Sequence, residues 1–200
     1  MVLVYEAAAE GFREPGPGKG NALAETPDGM MVRAALGGDV GSFTELCRRY
    51  YSAMVAVAHA ILGDRHLAED AAQEAFARAC RHLKRLKDPD RFAAWLARIC
   101  RNQAKDMLRR RRRLRSLPDP AAIPERSRSA ADVDAVRDAI DTLPARAREV
   151  IYLRYYDELS YERISAVLGI SGQAVNGRLR RAKTAVARYL ERTGRVKVQR

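Results

Sequence analysis

Aromatic side chains are scarce in this sequence, 6% of 200 residues with a single Trp. No apolar run approaches the roughly 18 to 20 residues that a membrane span needs. The start, Met1 to Tyr5, has neither a basic segment nor a long apolar stretch, so no secretory signal is expected there. The expected location is therefore the cytoplasm. Cysteine is limited to Cys47, Cys80 and Cys100, odd in number and far apart. Each stands among apolar helical positions, so buried free thiols are expected and disulfides are not. No Cys-x-x-Cys pair and no paired-histidine spacing joins them to His59, His66 or His82, so neither a metal site nor a cofactor is expected. With aromatics scarce and charged residues at 31%, helical surfaces fit better than a β-sandwich. The longer segments are rich in Ala, Leu, Arg and Glu, which are good helix formers. The expected class is all-α.

What the chain does have is positive charge. Lys and Arg number 37 against 25 Asp and Glu, a formal net charge of +12, with a pI near 10.1. That balance suits a polyanionic partner, nucleic acid before membrane, although a basic surface also serves solubility.

Residues 1–27 hold Gly11, Pro15, Gly16, Pro17, Gly18, Gly20 and Pro27 with few large apolar groups, which reads as a flexible leader. A helical domain is expected over 28–113. Its first short helix, near Asp28–Leu36, stops at Gly37-Gly38. The next carries Phe43, Leu46, Tyr50, Met54, Val57 and Ile61 at steps of three or four, and stops at Gly63-Asp64. A third, Leu67–Leu86, is expected to bury Leu67, Ala72, Phe76, Cys80 and Leu83. Pro89 breaks it. The fourth starts near Arg91, turns Phe92, Trp95, Leu96, Ile99 and Met107 inward, and ends in the basic run Arg109–Arg113. Residues 114–130, with Pro118, Pro120 and Pro124 and no apolar periodicity, read as a linker. A second domain, 131–192, opens on Val133, Val136 and Ile140 and continues through Leu143-Pro144 to Val150, Ile151 and Leu153. Residues 193–200 form a basic tail.

The most specific local pattern lies in 160–183. Ser160 caps a short helix whose inner face is Ile164, Val167 and Leu168. Gly169 stands where the chain must reverse and positive φ is favoured. Ile170 fills the corner and Ser171 caps a second helix with Val175, Leu179, Ala182 and Val186 inward. Ser165 is small where the two helices approach. This is a helix-turn-helix whose second helix is free for a major groove. Its outward residues are Gln173, Asn176, Arg178, Arg180, Arg181 and Lys183. Gln and Asn can pair with adenine and Arg with guanine, while Arg and Lys also hold phosphates.

The acidic stretch Asp64, Glu69, Asp70 and Glu74 has no second element to complete a metal shell or a catalytic pair. An acidic face on a basic protein better suits a basic protein partner. No catalytic constellation is present, and no enzyme is expected.

At this point a resemblance adds to the reading. Ala68-Glu69-Asp70-Ala71-Ala72-Gln73-Glu74-Ala75-Phe76 resembles the core-polymerase-binding helix of bacterial sigma factors. The segment from Phe92 through Trp95, Leu96, Ile99 and Asn102 to Asp106 resembles their promoter-melting helix. Leu143-Pro144, Val150, Leu153-Arg154 and the helix-turn-helix resemble their second conserved domain. The matches come in family order over about residues 28–190, and the short linker points to the extracytoplasmic function (ECF) group. The resemblance implies a transcription initiation factor whose partners are core RNA polymerase, through its β' clamp and β flap, and promoter DNA. An anti-sigma protein is a common further partner in the group. It implies polymerase contacts at Glu69, Asp70, Gln73 and Glu74. It implies −10 contacts at Lys87, Asp88 and Arg91 in the Leu86–Arg91 loop, and at Arg101, Asn102, Lys105, Arg109 and Arg110. It implies −35 contacts at Ser171, Gln173, Asn176, Arg178, Arg180, Arg181 and Lys183. Ala71 and Ala75 stand where larger side chains are common, and Asn176-Gly177 replaces a commoner basic-Ser pair. The competing expectation is a conventional helix-turn-helix regulator, which needs a ligand pocket and no polymerase-binding face.

Overall fold

The computed structural model describes residues 26–115 and 131–194, and among these every regular element is helical. The expected leader, most of the linker and the end of the tail lie outside the described residues. Four helices form the first domain: α1 (Asp28–Leu36), α2 (Val40–Leu62), α3 (Arg65–His82) and α4 (Phe92–Arg115). Two 3₁₀ turns, Leu83–Arg85 and Pro89–Arg91, join α3 to α4. The second domain comprises α5 (Ala131–Asp141), α6 (Ala145–Tyr155), α7 (Tyr161–Leu168) and α8 (Gly172–Arg192).

Local chemistry sets the ends. Asp39 accepts from the Gly41 N–H at 3.0 Å and opens α2. Gly63 closes α2 at φ 66°, its N–H bonded to the His59 carbonyl. Asp64 then accepts from the Leu67 N–H at 3.1 Å and opens α3. The second turn of chain reversal, between α3 and α4, is held by Asp88, which accepts from the Asp90 N–H at 3.1 Å. Each carboxylate satisfies an amide that the first helical turn leaves unpaired.

Two expected details of α3 are corrected. It ends at His82, and the residues from Leu83 tighten into a 3₁₀ turn ahead of Pro89. Its buried seam is Ala68, Ala71, Ala72, Ala75, Phe76 and Ala79, while Leu67 is only half-buried and Cys80 is exposed. Ala71 and Ala75 are thus core positions, and their small size allows the closely packed contact among α2, α3 and α4. Cys100 is buried as expected, its thiol donating to the Met54 carbonyl at 3.3 Å. Cys47 is half-buried, and burial raises both the Cys47 and Cys100 thiols to about 12.

Phe92, fully buried, anchors the first domain between the Tyr50 and Trp95 rings at centroid distances of 5.9 and 6.1 Å. Trp95 itself is half-buried. Helix α1 is tied down by Asp28, which accepts from Arg49 at 2.6 Å and from the Tyr50 hydroxyl. Gly29 is a close approach: a Cβ there would lie 1.9 Å from the Asp90 carboxylate oxygen, so this glycine seats the Pro89–Arg91 turn against α1. In the second domain Val136 is exposed, contrary to expectation, and Ala135 and Ala139 pack instead beside Leu190. Val133 has no described side chain.

The two domains touch. Helix α6 lies against α2 and helix α7 against α4, and one apolar cluster runs across the contact.

Candidate nucleic-acid interface and partner face

The helix-turn-helix forms as its local chemistry dictates. Ser160 accepts from the Arg163 N–H at 3.3 Å and Ser171 from the Ala174 N–H at 3.2 Å. Gly169 stands at φ 65° and lets the chain reverse between them. The Ser165 hydroxyl donates to the Ile170 carbonyl and braces the corner. Ile164, Val167, Val175, Leu179 and Ala182 are buried beneath it.

This leaves Ser171, Gln173, Asn176, Arg180, Arg181 and Lys183 exposed along α8. Arg180 and Arg181 line an open groove with Thr184, Ala185 and Arg188. Arg188, absent from the sequence-derived set, therefore continues the basic row about two turns beyond Arg181. Lys183 stacks over the Tyr155 ring at 5.3 Å, and that contact raises its pKa. Arg178 differs from the rest. It is half-buried, and its charge acts on Glu149 of α6.

The loop ahead of α4 is exposed at Lys87, Asp88 and Arg91, with Arg91 3.8 Å from the Asp88 carboxylate. Along α4, Asn102, Lys105, Arg109 and Arg110 are exposed. Arg109 is paired with Asp106 at 3.2 Å. The run Arg109–Arg113 is helical, so its charges are distributed around a helix, and one of them, Arg111, turns back to Asp64 at 3.7 Å.

Arg101 is where the structure departs most from the expected row of free cations. Its Nε donates to the Glu149 carboxylate at 2.6 Å, joining α4 of one domain to α6 of the other. Glu149 is only 7% exposed and Arg101 24%. Burial raises the Glu149 pKa, and the charges of Arg101, Arg178 and Arg146 oppose that shift. Burying a carboxylate is costly unless a cation and hydrogen bonds compensate it, and Arg101 does both here.

Other polar contacts cross the same boundary. Arg148 donates to the Ala60 carbonyl at 2.8 Å. His59 meets the Tyr152 ring edge-on, with centroids 4.9 Å apart, and burial lowers the His59 pKa. Burial also raises the pKa of Asp157, a shift that the Ser52 hydroxyl opposes. None of Arg148, Glu149 or Asp157 was among the residues the sequence singled out. Their partners are 88, 48 and 105 positions away, beyond any local periodicity.

The acidic face lies on α3. Asp70 and Gln73 are exposed, and Glu69 and Glu74 border them. The face is less acidic than its sequence suggests: Glu69 pairs with Arg65 at 3.0 Å, and Glu74 with Arg78 and Arg81 at 3.0 and 3.2 Å. Such exposed pairs add little stability, so these cations can turn to other partners cheaply. Asp64, counted in the same patch by sequence, serves as the α3 cap. Among the described residues no His, Cys, Asp and Glu cluster is arranged to hold a metal, and no helix is long and apolar enough to cross a membrane.

Comparison with known proteins gives this arrangement a family. The profile described as Sigma-70 region 2 matches residues 46–114, and Sigma-70, region 4, matches residues 134–186. The ECF RNA polymerase sigma factor SigE of Mycolicibacterium smegmatis is 34% identical over 182 residues, covering 84% of this chain and 69% of that protein. RNA polymerase sigma-H factor of Pseudomonas aeruginosa is 30% identical over 186 residues, covering 84% of this chain and 96% of that protein. A solved structure of CnrH in complex with the cytosolic domain of CnrY superposes with a TM-score of 0.58 at 29% identity, covering 83% of this chain and 98% of that chain. Two profiles in family order, on the two helical domains seen here, with relatives alike over most of their length, show that this chain belongs to the ECF sigma factors of the sigma-70 family.

Proposed function

We propose that this chain binds core RNA polymerase through the exposed face of α3 and directs it to promoters, where the two domains take separate DNA elements. Asp70 and Gln73, flanked by Glu69 and Glu74, form the surface offered to the β' clamp. The Lys87–Arg91 loop, Asn102, Lys105, Arg109 and Arg110 take the −10 element. Arg101 joins them once it is released from Glu149. On α8, Gln173, Asn176, Arg180, Arg181 and Lys183 face the −35 major groove, with Ser171 at the helix start offering its N-terminal amides to a phosphate. Arg178 acts on that surface from its half-buried position. The second domain lies against the β flap.

The observation that carries this reading is the pairing, within one chain, of an exposed α3 face with a capped helix-turn-helix of basic outer surface. A regulator that binds DNA without polymerase has no use for the first of these. The factor does no chemistry of its own. It spends binding energy on opening DNA, in which each base stacked on protein contributes roughly 1–3 kcal/mol. Two weak contacts on one chain also raise each other's effective concentration. Its place of action is the cytoplasm. An anti-sigma protein that covers these faces fits the reading, as CnrH is bound by the cytosolic domain of CnrY.

The test is run-off transcription on genomic fragments. Chain plus core polymerase should give discrete transcripts, and neither alone should. A chain that does not co-purify with core polymerase, yet binds promoter fragments tightly by itself, would establish the regulator instead.

A further inference from the structure

We propose that Arg101 and Glu149 latch the free chain into a closed state, and that opening releases Arg101 to DNA. The proposal rests on the sigma reading for its consequence, but its geometry is independent of that reading.

The two DNA-directed surfaces are too close together as they stand. Helix α7 of the helix-turn-helix lies against α4, and a Cβ at Gly169 would be 3.4 Å from that of Ala94. Elements centred at −10 and −35 are about 25 base pairs apart, or about 85 Å along B-form DNA at 3.4 Å per pair. No chain with α7 seated on α4 spans that distance. Fully extended, residues 116–130 reach at most about 54 Å, which together with the breadth of two domains is enough. The domain contact must therefore part before both elements are held.

The contact is built for parting. At its centre is a 2.6 Å ion pair that buries one member of the row assigned to the −10 strand. Arg101 directly precedes Asn102, so the latch withholds a cation from the site where single-stranded DNA is held. A buried carboxylate left without its cation is strongly disfavoured. Glu149 is not left in that state on opening, because separation of the domains returns its carboxylate to water. The competitor for Arg101 is a nucleic-acid phosphate, which guanidinium binds in the same bidentate manner as a carboxylate.

A disulfide trap tests the latch. Ala94→Cys and Gly169→Cys are introduced into a chain carrying Cys47→Ser, Cys80→Ser and Cys100→Ala, and cross-linking by diamide is timed. The close approach suits disulfide geometry. The free chain should cross-link rapidly, and adding Glu149→Ala should slow the reaction by roughly tenfold or more, as expected for loss of a buried charge pair. Equal rates with and without Glu149→Ala would overturn the proposal. Because residue 169 has positive φ and a side chain there is strained, small-angle scattering on chains without these cysteines gives a second reading. Glu149→Ala and Arg101→Ala should each enlarge the radius of gyration, and unchanged radii would equally overturn it. Neither readout involves transcription. A chain that cross-links in a Glu149-dependent way but never supports run-off transcription would refute the sigma reading and leave the latch standing. With both in place, the oxidised chain should be silent and dithiothreitol should restore its transcripts.

Discussion

The seam inside the first domain and the contact between the two domains are made of different materials. Within the first domain α2, α3 and α4 meet through Ala71, Ala72, Ala75, Leu46, Met54, Phe92 and Leu96, all apolar and buried. Between the domains an apolar layer is interrupted by Arg101–Glu149, by Arg148 on the Ala60 carbonyl, by His59 against Tyr152 and by Asp157. Three of these groups, Glu149, His59 and Asp157, have pKa values displaced by burial. Contacts between domains of one chain are commonly more polar than cores and made to separate. On the proposed function, the difference falls where it is needed: one seam would keep the polymerase-facing and −10 surfaces in fixed register, and the other would let the −35 surface move away.

The largest expected effect comes from breaking the apolar seam. Phe92→Ala removes a fully buried ring between Tyr50 and Trp95 and should cost about 3–5 kcal/mol in denaturant unfolding of the first domain. Arg101→Ala should cost a similar amount, roughly 3–5 kcal/mol, only while the domains stay together, because separation returns Glu149 to water. Its loss should also depend on pH. The Glu149 pKa is raised in the closed state, so the group contributes stability below its ordinary value of 4.5, and that contribution is lost as pH rises through the raised value. Removing Arg101 raises it further. Thermal unfolding should therefore show a larger deficit for Arg101→Ala at pH 8 than at pH 5, and an equal deficit would contradict the buried pair.

Gly29→Ala sharpens the comparison from the other side, since its Cβ collides with the Asp90 carboxylate inside the first domain. Because the exposed Asp90 side chain can swing aside, it should cost about 1 kcal/mol or less, with the displaced −10 loop read as reduced permanganate reactivity of melted promoter DNA. Ser171→Ala should cost about 1 kcal/mol through loss of the α8 cap. Its effect should be confined to the second domain, weakening −35-dependent initiation while cross-linking to core polymerase is unchanged.

What the sequence made legible follows from how local each determinant is. Ser160, Gly169 and Ser171 act within a few residues, so the helix-turn-helix could be read from the chain, apart from Arg178, which is expected outward and is half-buried. The ends of α2 were equally plain from Gly37-Gly38 and Gly63-Asp64. The inner face of α3 was misread at Cys80 because an alanine-rich helix has little hydrophobic contrast, and the larger Leu67 and Cys80 outweighed the alanines that are buried. Val136 was misjudged for a related reason: small Ala135 and Ala139 fill the tight contact with α8 and leave the larger residue outside. The exposed cations Lys105 and Arg110 came from the family resemblance, and Arg180 from the outward face of the second helix of the helix-turn-helix. Arg101 has the charge of these residues and, four positions before Lys105, nearly its phase on α4, and a partner in the other domain distinguishes it. Such pairings over long stretches of chain are set by tertiary packing and leave no periodic trace in the sequence.

The most direct test of the account is the distance between the domains in a single molecule. In a chain carrying Cys47→Ser, exposed Cys80 and a Glu191→Cys substitution on α8 provide label sites, since Cys100 is shielded by burial. Energy transfer between them should be high in the free chain and fall to a single low value when core polymerase and promoter DNA are added. One unchanged distance in both states would contradict it.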